Sequence, residues 1–289
     1  MTARIPMSVV APAHNEEGNV EGLVNEVEAT ARALHAALPV RFAEGDPSTL
    51  FGVEFVLVDD GSTDRTRSIA QTMQTTRPWL RIVAMTQTPP GKGNGQSAAF
   101  HAGFRATRGE LIAVLDADLQ NDPKDLVPMM NLLIERDADM VQGDRSHARR
   151  DNWIRRNGSR VGRLFRRMIL NDTIRDTGCS LRLMKREIAL RLPLEFRGVH
   201  RFIPASARHM GYTVIEMQVN HRQRHAGDTK YGMGITQRAI PGLIDCFAVR
   251  WMRQRRRPVT SIEVHAPTHD AAPQVTVREH MQSQASTTP

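Results

Sequence analysis

Cysteine is scarce in this chain, and its placement argues against two classes of protein. The 289 residues include two cysteines, Cys179 and Cys246, which lie far apart in the sequence. Isolated cysteines of this kind fit neither the ligand spacing of a zinc site nor a disulfide framework. We therefore expect a reducing, cytosolic setting.

Long apolar runs are also missing. No stretch reaches the roughly 18 uninterrupted apolar residues that are typical of a membrane-spanning helix. The N-terminal region is strand-like from Met7 and lacks the charged-then-apolar profile of a secretion signal. The sequence thus predicts neither a span nor a leader.

Acidic residues are fewer than basic residues. Lys and Arg number 39 against 31 Asp and Glu, which gives a net charge of +8. This excess indicates an anionic partner, which could be a phosphate compound, a membrane face or a nucleic acid. The apolar share of 40% and the charged share of 24% are ordinary for a soluble globular protein.

The first half of the chain alternates short apolar runs with helical patterns. Strand-like runs occupy residues 7–11, 53–58, 81–85 and 111–115, and apolar residues recur at helical spacing after the first two. Such alternation predicts an α/β fold with a mainly parallel sheet flanked by helices. In sheets of this kind, ligands bind beyond the carboxyl ends of the strands.

The fourth strand-like run ends in a cluster of oxygen-bearing side chains. If this segment is extended, Asp116, Asp118 and Gln120 lie on one side of it. Carboxylate and amide oxygens are the ligands that Mg²⁺ and Mn²⁺ prefer. A solvated acidic turn is the alternative, but the preceding buried strand favours a metal site at the ligand edge.

A second acidic loop follows the second strand. Asp60 is placed to accept a hydrogen bond from a nucleobase. Ser62 or Thr63 would instead cap the next helix, and Asp64 would lie near the positive end of that helix.

The glycine-rich residues 91–95 lack the spacing of an ATP-binding phosphate loop. They indicate a flexible loop near a donor substrate.

Arginines are concentrated between residues 144 and 167. Aromatic partners for stacking on nucleic acid are limited to Trp153 and Phe165, so lipid and nucleotide phosphates explain the cluster at least equally well. A solvated basic face is the alternative for part of it. The arginines are Arg145, Arg149, Arg150, Arg155, Arg156, Arg160, Arg163, Arg166 and Arg167.

The C-terminal part predicts one more helix and then a tail. Residues 236–257 form an amphipathic pattern with a basic end, which suits a helix in a membrane interface. Packing on the catalytic domain or on a second subunit is the alternative. Residues 258–289 have the composition of a disordered segment. The apolar face comprises Ile235, Ile240, Leu243, Ile244, Phe247, Ala248 and Trp251, and the basic end Arg253, Arg255, Arg256 and Arg257.

Seven segments, in order, resemble the family-2 inverting glycosyltransferases, and among them the polyprenyl-phosphate sugar synthases of the dolichol-phosphate mannose synthase type. They extend over roughly residues 5–252. The segments are VVAPAHNEEGNV, VLVDDGSTDRT, GNGQSAAFHAG, AVLDADLQNDP, DTGCSLRLMKR, FRGVHRFIPA and HRQRHAGDTKYG.

The resemblance implies a GT-A fold, with a catalytic domain over residues 1–235, an interface helix over 236–257 and a tail over 258–289. It implies an enzyme that moves a hexose from GDP-mannose or a UDP-hexose to a polyprenyl phosphate, with inversion at the anomeric carbon. Mg²⁺ or Mn²⁺ would be the cofactor. The enzyme would act as a peripheral protein at the cytoplasmic face of the membrane.

The resemblance also assigns roles to residues. Asp118 and Gln120 would hold the metal, and Asp118, Arg145, Arg155 and Ser159 would form the catalytic set, with the last three at the acceptor phosphate. His14 stands where the archetype has tyrosine, which leaves the base preference open. The donor-binding residues would be Pro12, His14, Glu16, Val58, Asp60, Asp116, Ala117, Asp118, Arg224 and Lys230.

Two other functions stay open at this point. Transfer to another glycolipid or to a polysaccharide would use the same donor site. A basic nucleic-acid-binding protein would belong to a different class, although the resemblance predicts no nucleic acid as partner. A homo-oligomer is left open as well.

Overall fold

The structure is a computed structural model that describes residues 5–89, 91–147, 153–223 and 235–257. Within those ranges, the side chains of residues 153–161 and 235–240 are not described. The predicted disordered tail, residues 258–289, lies outside the described residues and stays a prediction.

The described residues form a seven-stranded mixed sheet in the order β3-β2-β1-β4-β6-β5-β7. Strand β6 runs antiparallel to both of its neighbours, and the other pairings are parallel. The expectation of a mainly parallel sheet is therefore confirmed. The strands are β1 (Met7–Ala13), β2 (Val53–Asp59), β3 (Leu80–Ala84), β4 (Leu111–Val114), β5 (Met140–Asp144), β6 (Arg182–Lys185) and β7 (Val214–Gln218).

Helices connect these strands, and short 3-10 turns occur at Pro123–Asp125 and Val199–Phe202. The four strands expected in the first half are confirmed to within one or two residues at their ends. The helices are α1 (Val20–Ala37), α2 (Thr66–Gln74), α3 (Gln96–Ala106), α4 (Leu126–Glu135), α5 (Trp153–Leu170), α6 (Arg186–Leu190), α7 (Ile203–His209) and α8 (Ile235–Arg255).

Alternate residues of the central strands pack on opposite faces of the sheet, as the two-residue period of a strand requires. Val9 on β1 belongs to a buried cluster with Leu23 of α1 and Leu133 of α4. Val10, the next residue, belongs to a second cluster with Phe100 of α3. Helices therefore cover both faces, which is why the central strands are mainly apolar along their whole length.

Helix α2 begins later than the capping interpretation required. Its first residue is Thr66, and the Asp64 carboxylate accepts the Thr66 main-chain N–H at 2.9 Å. The Ser62 hydroxyl instead accepts the main-chain N–H of Asn15. Capping by Ser62 or Thr63 is thus wrong, because these residues tie the loop to its neighbour. The N-cap position is Arg65, which makes no side-chain cap hydrogen bond.

Helix α8 packs on α5. Cys246 and Val249 are buried with Leu170 of α5 and Phe202. The Arg253 guanidinium donates to the main-chain oxygen of Leu170 at 2.8 Å. In the described part of the chain, no helix combines the length and the apolar character that crossing a bilayer requires. The expected division between residues 235 and 236 stays a prediction.

Candidate active site

Three adjacent parallel strands end at one edge of the sheet. Strand β1 lies between β2 and β4 and is parallel to both. The loops that follow Ala13, Asp59 and Val114 therefore emerge side by side. These loops carry most of the donor-binding residues expected from the sequence, so the sheet brings together side chains that are distant in the chain.

Pro12 and Val58 are direct partners in the register of β1 and β2. The Val58 side chain is fully buried, and it faces α3, since a Cβ atom on Gly103 would stand 2.8 Å from it. Pro12 is partly exposed. Any contact of Val58 with a nucleobase would accordingly come from its main chain at the strand end.

The loop after β1 is held by hydrogen bonds. The main-chain N–H of Glu16 donates to the Thr66 hydroxyl at 2.7 Å, and the Glu16 carboxylate accepts from the Asn19 amide at 2.7 Å. Asn15 has a left-handed φ of 54° and donates its main-chain N–H to Ser62. Glu16 is thus part of the network that fixes this loop against the loop after β2.

Asp60 organises the glycine-rich loop. Its carboxylate accepts the main-chain N–H groups of Asn94 and Gly95, each at 2.8 Å, and its main-chain oxygen lies 2.7 Å from His14 Nδ1. A Cβ atom on Gly93 would stand 2.3 Å from the Asp60 carboxylate. His14, Asp60 and residues 93–95 therefore form one packed unit beside the ends of β1 and β2.

The segment after β4 is a turn rather than an extended strand. Leu119 has a left-handed φ of 60°, and the Gln120 main-chain N–H donates to the Asp118 carboxylate at 3.2 Å. The expected alternation that put Asp116, Asp118 and Gln120 on one side is therefore wrong, because it assumed extended backbone. Ala117 and Asp118 are buried, while Asp116 and Gln120 are partly exposed.

Gln96 is a site residue that the sequence reasoning missed. It is the first residue of α3, and its amide donates to the Asp116 carboxylate at 2.8 Å and to the Ser180 hydroxyl at 3.3 Å. This contact joins the glycine-rich loop to the turn after β4. Its position directly after Gly95 was the only signal that the sequence offered.

Arg145, expected at the acceptor phosphate, follows β5 and is buried against Asp176. The carboxylate of Asp176 accepts from Arg145 Nε at 2.9 Å, from Arg145 Nη2 at 3.3 Å and from the Arg145 main-chain N–H at 3.2 Å. Burial alone would lower the pKa of Arg145, but Asp176 outweighs burial and raises that pKa, with a smaller contribution from nearby Asp116. Asp176 is a second residue that sequence reasoning missed.

A buried arginine and a neutral histidine lie beneath this pair. The Arg182 guanidinium donates to the main-chain oxygens of Cys179, Ser180 and His200, and burial lowers its pKa to about 10. Burial also lowers the pKa of His200 to about 3, and its Nδ1 lies 2.8 Å from the Ser97 hydroxyl. Arg182 also interacts electrostatically with Asp116 and Asp176.

Four expected site residues stay predictions. Arg155 and Ser159 lie on helix α5, but their side chains are not described. Arg224 and Lys230 lie outside the described residues, which resume at residue 235 after residue 223.

The oxygen atoms after β4 suit a divalent cation. Asp118 offers carboxylate oxygens and Gln120 an amide oxygen, which are hard ligands. Among the residues that the structure describes, no three His, Cys, Asp or Glu side chains gather into a metal-binding group. Mg²⁺ commonly takes one or two protein ligands and completes its coordination with substrate phosphates and water.

Comparison with known proteins identifies the family. The model for "Glycosyl transferase family 2" matches residues 8–192. The chain belongs to glycosyl transferase family 2. This glycosyltransferase is 34% identical over 257 residues to dodecaprenyl-phosphate galacturonate synthase of Rhizobium johnstonii, with 88% of this chain and 69% of that protein covered. It is 30% identical over 247 residues to undecaprenyl-phosphate 4-deoxy-4-formamido-L-arabinose transferase of Edwardsiella ictaluri, with 86% and 69% covered.

Solved structures agree with the fold. The glycosyltransferase matches glucosyl-3-phosphoglycerate synthase from Mycobacterium tuberculosis in complex with Mn²⁺, UDP-glucose and phosphoglyceric acid, with a TM-score of 0.58 and 20% identity. That match covers 84% of this chain and 80% of the other. The expected GT-A α/β fold and the expectation of a glycosyltransferase enzyme are therefore confirmed.

Proposed function

We propose that this glycosyltransferase moves a hexose from GDP-mannose or a UDP-hexose to a polyprenyl phosphate, with Mg²⁺ or Mn²⁺ as cofactor. The observation that supports the proposal is that Asp60, after β2, lies at the same edge of the sheet as Asp116 and Asp118, after β4. Strand β1 lies between these two strands and is parallel to both. Two relatives that are at least 30% identical carry polyprenyl phosphates in their names. Their sugars differ, so a donor panel belongs in the first experiment.

The proposed sugar transfer depends on the positioning of its two substrates more than on proton transfer. A lipid phosphate is already anionic near neutral pH, so it can attack the anomeric carbon without a general base. The protein must align two anionic substrates and stabilise the departing nucleoside diphosphate. A divalent cation held by Asp118 and Gln120 would neutralise charge on that diphosphate. Direct attack by the phosphate inverts the anomeric configuration.

The acceptor side of the proposal rests on cations near Asp116. Arg145 is held by Asp176, and nearby Asp116 contributes to raising its pKa. Arg155 and Ser159 would complete the acceptor-phosphate site, and Arg224 and Lys230 would contact the donor phosphates. Arginine suits this task because its planar fork can bind a phosphate through two hydrogen bonds.

A surface on α5 and α8 suits a lipid bilayer, where a polyprenyl phosphate resides. We define the α5–α8 surface by its exposed apolar side chains. Six of the ten large apolar side chains that are exposed in the described residues lie on these two packed helices. Exposed apolar groups concentrated in this way mark an interaction site rather than ordinary surface scatter. They are Leu164, Phe165, Met168, Ile244, Phe247 and Trp251.

Positive charge flanks the α5–α8 surface. Arg167 is exposed on α5, and Arg255 is exposed in the last turn of α8. Anionic lipids of the cytoplasmic leaflet attract such groups, while the apolar side chains enter the interface. The surface therefore supports peripheral attachment at the cytoplasmic face. The opposite side of α8, with Cys246 and Val249, packs on the protein.

The transfer reaction is tested with purified protein, a polyprenyl phosphate and a panel of UDP- and GDP-sugars, with Mn²⁺ or with EDTA. We expect metal-dependent formation of an inverted polyprenyl-phosphate sugar, and its loss in Asp118→Ala. Glu44→Ala, at an exposed carboxylate, is the control and should retain activity. Transfer only to a polysaccharide or glycolipid acceptor, or a product of retained configuration, would contradict the proposal.

Membrane attachment is tested by flotation with neutral and anionic vesicles. The double variant Ile244→Ser with Phe247→Ser should lose most of its binding to anionic vesicles. Ile134→Ser is the matched control, since Ile134 on α4 is 46% exposed and lies outside the surface. Undiminished flotation of the double variant would remove the attachment proposal. If the double variant instead dissociated from an oligomer, the partner of the α5–α8 surface would be a second copy of the chain rather than a membrane.

A further inference from the structure

Two distant segments pair directly beside the turn that carries Asp118 and Gln120. The main-chain N–H of Arg222 donates to the main-chain oxygen of Gln120 at 2.8 Å. The adjacent residues, Asn121 and His221, form an antiparallel bridge. The backbone that follows Asp118 is therefore fixed by a segment from much later in the chain.

The Arg222 side chain extends this pairing to helix α1. One guanidinium nitrogen lies 2.5 Å from the Asp122 carboxylate, and the other lies 2.5 Å from the Glu26 carboxylate. Glu26 is on α1, which follows the loop that carries His14 and Glu16. Arg222 thus links the segment after β4 to the helix after β1. A planar guanidinium can hold two carboxylates in this way, whereas a lysine ammonium acts as a single point charge.

The turn needs such support because its backbone is strained. Leu119 lies between Asp118 and Gln120 and has a φ of 60°, a conformation that is costly for a branched residue. Strained backbone persists when the surrounding structure determines it. Leu119 also packs close to Gly22 of α1, where a Cβ atom would stand 3.1 Å from Leu119 Cδ1. Arg222 therefore supports the turn from the same helix against which Leu119 packs.

The fold has a second anchor at this place, so loss of Arg222 need not unfold the protein. The Asp125 carboxylate accepts the Asn220 main-chain N–H at 2.7 Å and the Asn220 side-chain amide at 2.8 Å. Asp125 is buried in the 3-10 turn that follows Asp122. This second pair keeps the two segments together when the guanidinium is removed.

We propose that Arg222 is a positioning residue for the donor site, since it holds the strained turn in the form that presents Asp118 and Gln120 to a cation and a nucleoside diphosphate. The inference rests on the proposed function of that turn. The Arg222 guanidinium acts through the Asp122 and Glu26 carboxylates, while the hydrogen bond from the Arg222 main-chain N–H to Gln120 stays in place when the side chain is replaced. A merely structural ion pair would affect unfolding, whereas this role predicts an effect on cation and nucleotide affinity.

The test compares Arg222→Gln and Arg222→Lys with the wild type. Mn²⁺ affinity in the presence of UDP or GDP is measured by titration calorimetry, and thermal melting is recorded without ligand. Loss of a group that orients a metal-binding segment typically costs about tenfold to a hundredfold in metal affinity. We expect a loss of that size for Arg222→Gln and a partial loss for Arg222→Lys, with the KM for the donor raised more than kcat is lowered.

Arg32→Gln is the matched control. Arg32 pairs with Glu28 at 2.9 Å on the same helix, and its side chain is 59% exposed. That variant should bind Mn²⁺ and nucleotide like the wild type. Wild-type affinity in Arg222→Gln would overturn the inference and leave the proposed function standing. Failure of the wild type itself to bind any nucleotide would instead overturn the proposed function.

Discussion

Gly93 lies so close to Asp60 that a Cβ atom on Gly93 would stand 2.3 Å from the carboxylate oxygen of Asp60. The same carboxylate accepts the main-chain N–H groups of Asn94 and Gly95, each at 2.8 Å. The loop can approach the end of β2 this closely only because residue 93 has no side chain. Asp60 therefore holds the loop through main-chain atoms.

Gly93→Ala should separate this loop from Asp60. The added methyl group would displace the carboxylate or the loop, and two charge-assisted hydrogen bonds would be lost or lengthened. Each such bond contributes about 1.5–3 kcal/mol, so nucleotide affinity should fall at least about tenfold in calorimetric titration. Gly162→Ala is the control, because a Cβ atom there meets nothing within 4 Å. Equal nucleotide affinity in both variants would contradict the packing argument.

Gln96→Ala should release Asp116. The amide of Gln96 donates to that carboxylate at 2.8 Å, and a hydrogen bond to a charged group contributes about 1.5–3 kcal/mol. We expect kcat/KM for the donor to fall about tenfold or more. Gln74→Ala removes a similar hydrogen bond, from Gln74 to the Leu80 main-chain oxygen at 3.0 Å on α2, and should leave kcat/KM unchanged. Equal kinetics in the two variants would exclude a role for Gln96 at the site.

Asp176→Asn should destabilise the whole fold. Arg145 and Asp176 are both buried, and removing one partner of a buried ion pair costs about 3–5 kcal/mol, because the other charge is left uncompensated. Urea unfolding measures the change. Asp139→Asn is the control, since its partner Lys185 is 42% exposed, and its ion pair should contribute no more than about 1 kcal/mol. Similar losses of unfolding free energy in the two variants would mean that burial does not determine how much the Arg145–Asp176 pair stabilises the fold.

His200 should make stability depend on pH. Burial lowers its pKa from the ordinary 6.5 to about 3, so the native protein keeps this ring neutral where the unfolded chain takes up a proton. Stability linked to His200 is thus complete above pH 6.5 and is lost as the pH falls toward 3. His200→Asn should flatten the fall in unfolding free energy between pH 7 and about 4 in urea titrations. If the variant kept the same slope of unfolding free energy against pH, a group other than His200 would take up the proton.

The sequence predicted the strands that form the donor edge because their signals are local. Strands β1, β2 and β4 are mainly apolar runs that end at turn-forming residues. The positions of Asp60 and Asp116 at one edge then follow from the general behaviour of parallel sheets. Strand β6 gave no such signal. Its four residues, Arg182–Lys185, are half charged, and its antiparallel pairing with β4 and β5 depends on tertiary contacts.

The missed site residues depend on contacts across the chain. Gln96 meets Ser180, and Arg145 meets Asp176, through hydrogen bonds between segments that no local pattern connects. The turn after β4 was expected to be extended, because nothing in its composition reveals the left-handed backbone of Leu119. Packing against Gly22 accompanies that conformation, and such packing is known only from the folded structure.

The pairing of β1 with β4 makes the proposed donor site depend on a contact between distant parts of the chain. Met7 pairs with Leu111, and this contact closes a long loop, whereas β1 and β2 come together over a shorter one. We expect Asp116 to join the proposed site only once that closure is complete. A nucleotide that binds only the native protein would draw the folding equilibrium toward the native state, so its presence during refolding should raise the yield of native enzyme.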